Sequence, residues 1–234
     1  MNQHFIQKSW LKQFKSSDGK VEVVVTASME SLQRKPKEIA AEQNFQDVDQ
    51  ENEDKQVESK AISVLHNLKK GLTQVPNDSR GILEEWVALH LARSLRSRES
   101  ILNLSVSYSK ARSSFVSADL ADVKTFDEVW VYRSKKNDEP LILSDNPIVF
   151  LQDISLIFPF SPYVFVMFTK QDPRLAVIEE RTWPQLINEM SFANATTEVY
   201  GNPDTRPPWN IIRERACKNV LIEIREKQVR VRQK

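Results

Sequence analysis

The sequence predicts an α+β domain, with central amphipathic helices packed on a mostly antiparallel or mixed sheet. Three observations carry this expectation. Helical periodicity dominates residues 57–95, β-branched and aromatic runs dominate 128–169, and a helix signal returns at 182. Helices first and strands afterwards argue against the regular alternation of a parallel sheet. With 234 residues and 40% hydrophobic composition, the chain can bury one large core.

Phe5/Ile6, Trp10/Leu11 and Phe14 recur at helix-like spacing, and Asp18-Gly19 is a turn. Val21 to Ala27 is rich in β-branched residues and predicts a strand. Residues 30–56 are polar, with few apolar anchors. They predict a long connection holding at most a short helix around Ile39 to Phe45. Within it, Glu53-Asp54-Lys55 reads as chance acidic composition.

Val57 to Leu72 places Ala61, Ile62, Leu65, Leu68 and Leu72 on one stripe, with Glu58 on the same face. Ile82 to Leu95 is apolar over a wide arc, which predicts a central helix built around Trp86. His90 and Arg93 interrupt that arc as surface neighbours. His90 reads as a packed histidine and His66 as a solvent-facing one.

Leu104 to Leu120 predicts a further helix. Glu128 to Arg133 alternates as a strand, with Val129 and Val131 opposite Trp130 and Tyr132. Further strands are expected at 141–143, 148–151, 156–158 and 164–169. Thr182-Trp183-Pro184-Gln185 is a capping signal for a helix extending toward Tyr200. Pro203 to Pro208 reads as a rigid linker. Val220 to Ile224 and Val229 to Val231 suggest a hairpin. The expected division is a domain over 1–201 and a basic extension over 202–234.

Several classes are disfavoured by composition. Four glycines, widely spaced, build no phosphate loop or dinucleotide fingerprint. Three scattered histidines and one cysteine offer no metal-ligand spacing, so no metal and no cofactor is expected. Cys217 lies in a helical stretch and reads as a small packing residue. The apolar run from Ile154 to Phe168 is broken by two prolines and two serines, so no membrane span is expected. The first residues lack a signal peptide's apolar core. Together with the lone cysteine, this leads us to expect a cytoplasmic setting. The net charge of +1 gives no global steering, but residues 206–234 hold nine basic and three acidic residues. That tail reads either as a nucleic-acid footprint or as a solvated face.

The most informative motif is Leu143-Ser144-Asp145-Asn146-Pro147, a polar turn between two apolar runs. Phe158-Pro159-Phe160-Ser161-Pro162 follows eleven residues later. A polar turn drawn against a core must satisfy its own groups or offer them to a ligand. Taken with His4-Phe5-Ile6…Trp10-Leu11…Phe14, Glu58, Arg93 and Leu186-Ile187-Asn188…Ala195…Val199-Tyr200, these pieces resemble the family catalogued as domain of unknown function 4238, over about residues 3–201. Gln7 stands where that family's opening usually has proline. The resemblance implies a fold boundary and a residue list, without an activity.

Two functions stay open. In the first, His4, Arg93 and Asp145 converge as a catalytic group, with Ser144, Asn146, Asn188 and Glu58 binding substrate. His4 would transfer a proton, Arg93 would hold an anion, and Asp145 would orient or pair. Such a set suits a metal-independent hydrolase or RNase-like effector acting on a phosphate-containing substrate. Its partner is then a nucleic acid or nucleotide, met through Arg93 and the basic tail. In the second, the chain is a binding module with a protein partner. Arg93 is then a structural ion pair with Asp145 or Glu58, the Ser144–Asn146 turn bonds its own backbone, and Asn188 holds a neighbouring backbone group.

Overall fold

The computed structural model describes residues 2–4, 6–43, 48–68, 73–94, 108–135, 137–151, 155–170 and 182–218. Strand β1 (Asn2–His4) pairs with β4 (Ala41–Gln43) in a two-stranded ribbon. Between them lie helix α1 (Lys8–Leu11), a 3-10 turn (Lys12–Phe14), β2 (Val21–Val25), β3 (Ser31–Arg34) and a second 3-10 turn (Pro36–Glu38). Then follow α2 (Val48–Asn67), β5 (Thr73–Gln74), α3 (Asn77–Arg93) and α4 (Tyr108–Val123). The second half holds β6 (Glu128–Arg133), β7 (Leu143–Ser144), β8 (Val149–Leu151), β9 (Ser155–Ser161) and β10 (Val164–Thr169). Helix α5 (Trp183–Asn194), β11 (Glu198–Gly201) and a helix α6 over 209–218 complete the order.

A five-stranded sheet runs β5-β6-β10-β9-β8 and a four-stranded sheet runs β3-β2-β11-β7. Every pairing among the described residues is antiparallel. The period-2 alternation of strands divides their side chains between two cores. Val129, Val131, Leu156, Phe158, Val166 and Phe168 join the main core with Leu83, Trp86 and Val87 of α3. Ile157, Phe165 and Met167 point the other way and pack with Tyr132 and with Ile187 of α5. The second sheet divides likewise, with Val23 and Tyr200 in the main core and Val24 and Val199 packed with Phe192. Both sheets are therefore covered twice, which explains the unbroken apolar runs of β9 and β10.

Trp86 is 1% exposed, as a central helix demands. It packs against Trp10, with ring centroids 4.6 Å apart, and His90 lies 4.9 Å from each tryptophan. His90 is thus a packed ring, and His66 is exposed, edge-on to Phe160. Trp10 donates its indole N–H to the Pro159 carbonyl at 2.9 Å. The β9–β10 register shifts beside Pro159, a position where a strand tolerates proline.

Several expectations are corrected. The first helix is a single turn followed by a 3-10 turn, and His4 is in a strand. Residues 30–56 are no plain connection, because they hold β3, β4 and the first half of α2. Helix α5 stops at Asn194, and Val199 and Tyr200 are drawn into a strand against β2. Its capping box forms as its sequence implies: the Thr182 N–H donates to Gln185 Oε1 at 3.0 Å. Cys217 is exposed, because α6 buries Ile212 and Ala216 one turn apart. Arg215 of the same helix bonds Glu139 at 2.7 Å and pairs with Glu189 at 3.2 Å. The hairpin expected over 220–231 lies outside the described residues.

Candidate functional site

Helix α2 buries a stripe at alternating spacings of three and four: Glu51, Asp54, Glu58, Ala61 and Leu65. Such a stripe faces a neighbouring helix. Its C-terminal half is apolar and joins the main core. Its N-terminal half keeps the spacing but supplies carboxylates. Asp54 and Glu58 face a counter-charge from α3, where Arg93 is 3% exposed.

Arg93 Nη1 donates to Glu58 Oε1 at 2.5 Å, and its Nε lies 3.7 Å from Asp54 Oδ2. One guanidinium thus faces two buried carboxylates. Burial pushes the Glu58 carboxyl above its ordinary value, and the Asp54 charge adds to that. The attraction of Arg93 works in the opposite direction without overcoming burial. A carboxylic acid that keeps its proton to higher pH is suited to proton transfer.

The cluster opens into a cavity of about 540 Å³. Gln7, Glu58 and Arg93 form its buried floor, while Lys8, Lys12 and Lys55 stand at its exposed rim. Gln7 is fixed from behind, since its Oε1 accepts the Trp86 indole N–H at 3.2 Å. Lys55 pairs with Glu51 at 2.9 Å across one turn of α2.

Asp145 has different partners. Its Oδ1 accepts the Thr196 N–H at 2.8 Å. Its Oδ2 accepts the N–H groups of Thr197 and Glu198 at 2.6 and 2.9 Å and the Thr197 hydroxyl at 2.8 Å. Asn146 Nδ2 donates to the Asn194 carbonyl at 3.0 Å, and Asn194 Nδ2 returns a bond to the Asn146 carbonyl at 2.9 Å. Ser144 Oγ donates to the Asn146 carbonyl at 2.6 Å. The polar turn therefore locks the β7–β8 connection onto the link between α5 and β11. Only Ser144 bonds within its own turn. Nearby, Tyr200 donates its hydroxyl to Glu198 at 2.9 Å, and burial holds its phenol well above the usual range.

Asn188 works in the same manner. Its Oδ1 accepts the Ile142 N–H at 2.9 Å, and its Nδ2 donates to the Pro140 carbonyl at 2.9 Å and to Glu139 at 2.7 Å. The structure thus brings Glu58 to Arg93. Asp145, Ser144 and Asn188 are absent from the lining of the Arg93 cavity. The backbone of His4 sits opposite Ala41, three residues before Gln7. The expected approach of its ring to Arg93 and Asp145 lies outside the described residues.

A second cavity of about 250 Å³ lies beside the polar turn, touching His90, Asp119, Asn146 and Asn194. Burial, reinforced by Asp122, raises the Asp119 carboxyl to about 6.

Lys8 and Lys12 were not singled out from sequence, Gln7 was noted only as a departure from the family's opening, and Asp54 and Lys55 were read as chance composition. The signal for Asp54 was present in the alternating three- and four-residue spacing upstream of Ala61, written in carboxylates. No group of three or more His, Cys, Asp or Glu suited to a metal gathers among the described residues. Nor is any described helix long and apolar enough to cross a membrane.

The chain matches the family described as "Protein of unknown function (DUF4238)" over residues 2–130, and it belongs to that family. All the floor and rim residues named above fall within the matched stretch, whereas Ser144, Asp145, Asn146 and Asn188 fall beyond it. No curated protein and no solved structure matches the chain.

Proposed function

We propose that this chain is a metal-independent hydrolase of a phosphate-containing, nucleotide-sized substrate held in the Arg93 cavity. The observation that carries this is the buried Arg93–Glu58 pair at the floor of a cavity with lysines at its rim, with Asp54 packed beside Arg93. A carboxyl raised by burial in a concave site suits acid–base chemistry. In this scheme water attacks phosphorus and the phosphorus–oxygen ester bond breaks. Glu58 gives its proton to the leaving oxygen, and the proton released by water reloads Glu58. Arg93 stabilises the charge on the phosphoryl oxygens. His4 remains a candidate proton carrier, three residues from Gln7. Asp145, held by backbone N–H groups, acts in this scheme as a fold lock.

The test is hydrolysis of a phosphomonoester, a phosphodiester and RNA by the full chain in EDTA. Glu58→Gln should lower kcat by about a hundredfold or more, within the range for losing a general acid. Because the acid form acts, the wild-type rate should fall as pH rises through the raised Glu58 value. Absence of turnover on all three substrates, or unchanged kcat in Glu58→Gln, would reject the hydrolase.

One observation favours a second reading, an interaction module whose polar groups are structural. Asp145, Asn146 and Asn188 all bond backbone groups far away in sequence. On that reading Glu58→Gln alters stability alone.

A further inference from the structure

We infer that the Arg93 cavity is built for a diphosphate: a ligand with two adjacent anionic phosphoryl groups, one at the floor and one at the rim. The inference rests on the proposal that a phosphate-containing ligand binds there, and it specifies which kind.

Donors in the cavity stand at two depths. At the floor, Gln7 is 7% exposed and Arg93 is similarly buried. The Gln7 amide is oriented without ambiguity. An indole N–H can only donate, so the atom it meets must be the Gln7 oxygen. The Nε2 of Gln7 has no hydrogen-bond partner among the described residues, yet it is not among the fully buried atoms that lack one. Its two N–H donors therefore belong to the open side, the cavity that Gln7 lines.

At the rim, Lys8 and Lys12 are exposed and four residues apart, so they lie on one face. Neither has an ion-pair partner among the described residues, whereas Lys55 across the cavity is neutralised by Glu51. Two linked phosphoryl groups would engage both levels at once. The floor group takes neutral donors from Gln7 and a shared guanidinium. The rim group takes the two free ammonium charges. The floor also holds Glu58, whose raised carboxyl accommodates a nearby anion when protonated.

The experiment is calorimetric titration of the full chain in EDTA with inorganic phosphate and with methylenediphosphonate, a diphosphate that cannot be hydrolysed. Wild type should bind methylenediphosphonate at least about tenfold more tightly than phosphate, a difference that two added cationic contacts can supply. Lys8→Met/Lys12→Met should erase that preference while keeping phosphate binding, since both residues are exposed and play no part in the core. Gln7→Glu keeps the shape and the acceptor for Trp86 but replaces the donor with an acceptor. It should weaken both ligands by about tenfold or more. Equal affinity for the two ligands would overturn the diphosphate assignment and leave the phosphate reading standing. Undiminished binding in Gln7→Glu, with an unchanged melting temperature, would overturn the floor donor. No binding of either ligand to wild type would overturn both readings together.

Discussion

The Arg93 cluster and the Ser144–Asn146 turn draw on the same chemistry and reach opposite balances. In the turn, one carboxylate meets three backbone N–H groups and a hydroxyl. In the cluster, one guanidinium is shared between two carboxylates, and Glu58 is left resisting ionisation. The Asp145 carboxylate has its acceptors filled, while the Glu58 carboxyl resists ionisation and has an open cavity in front of it. Buried polar groups that are fully met hold a fold together, and those left under-compensated are available for chemistry. The comparison moves the functional expectation from the turn, the more conspicuous motif in the sequence, to the cluster.

The largest effect should come from Arg93→Ala. Its removal strands the buried Glu58 without its Arg93 counter-charge, at a cost of about 3–5 kcal/mol. Urea denaturation measures this directly. A triple variant, Arg93→Met with Asp54→Asn and Glu58→Gln, removes all three charges and should recover most of the loss, because no buried charge is left unpaired. Failure of the triple variant to recover would mean that Arg93 contributes through packing, and the electrostatic half of the comparison would break.

A somewhat smaller loss is expected for Asp145→Ala, about 2–4 kcal/mol. Three backbone N–H groups lose a charged acceptor, but they are only part-buried, and water can replace some of the bonds. Ligand binding in the Arg93 cavity should be unchanged in the folded fraction. A variant as stable as wild type but unable to bind ligand would reverse the assignment of the two regions.

How much of this was legible in the sequence depends on the range of the interactions. Helix α3, strand β6 and the capping box of α5 were readable because periodicity and capping act within a few residues. The N-terminal half of α2 was misjudged because its stripe is acidic. The residue that makes those carboxylates tolerable, Arg93, lies 35 positions beyond Glu58. Local composition cannot show a partner at that distance. Asp145 is harder still, since its partners are backbone N–H groups, which every residue but proline carries. Val199 and Tyr200 illustrate the same limit from the other side. Their spacing suited a helix, and pairing with β2 decided otherwise.

The smallest effect concerns Asp119, which belongs to neither balance. It is half-buried at the second cavity, and its Oδ2 has no hydrogen-bond partner among the described residues. Burial, with Asp122 adding to it, raises its carboxyl from the ordinary 3.8 to about 6. A raised folded-state value means that protonation favours the fold. The resulting stability is fully present below about 3.8 and is lost as pH rises through about 6. Asp119→Asn, which is neutral at every pH, should therefore match wild type near pH 4 and exceed it above pH 7. The shift is discounted for solvent screening of a half-exposed group, leaving a gain of about 1 kcal/mol. Denaturation midpoints at the two pH values measure it. A gain of the same size at both would show that the charge of Asp119 carries no cost. A loss at high pH would mean that this carboxylate is matched by a partner, as Asp145 is, and would place it with the turn.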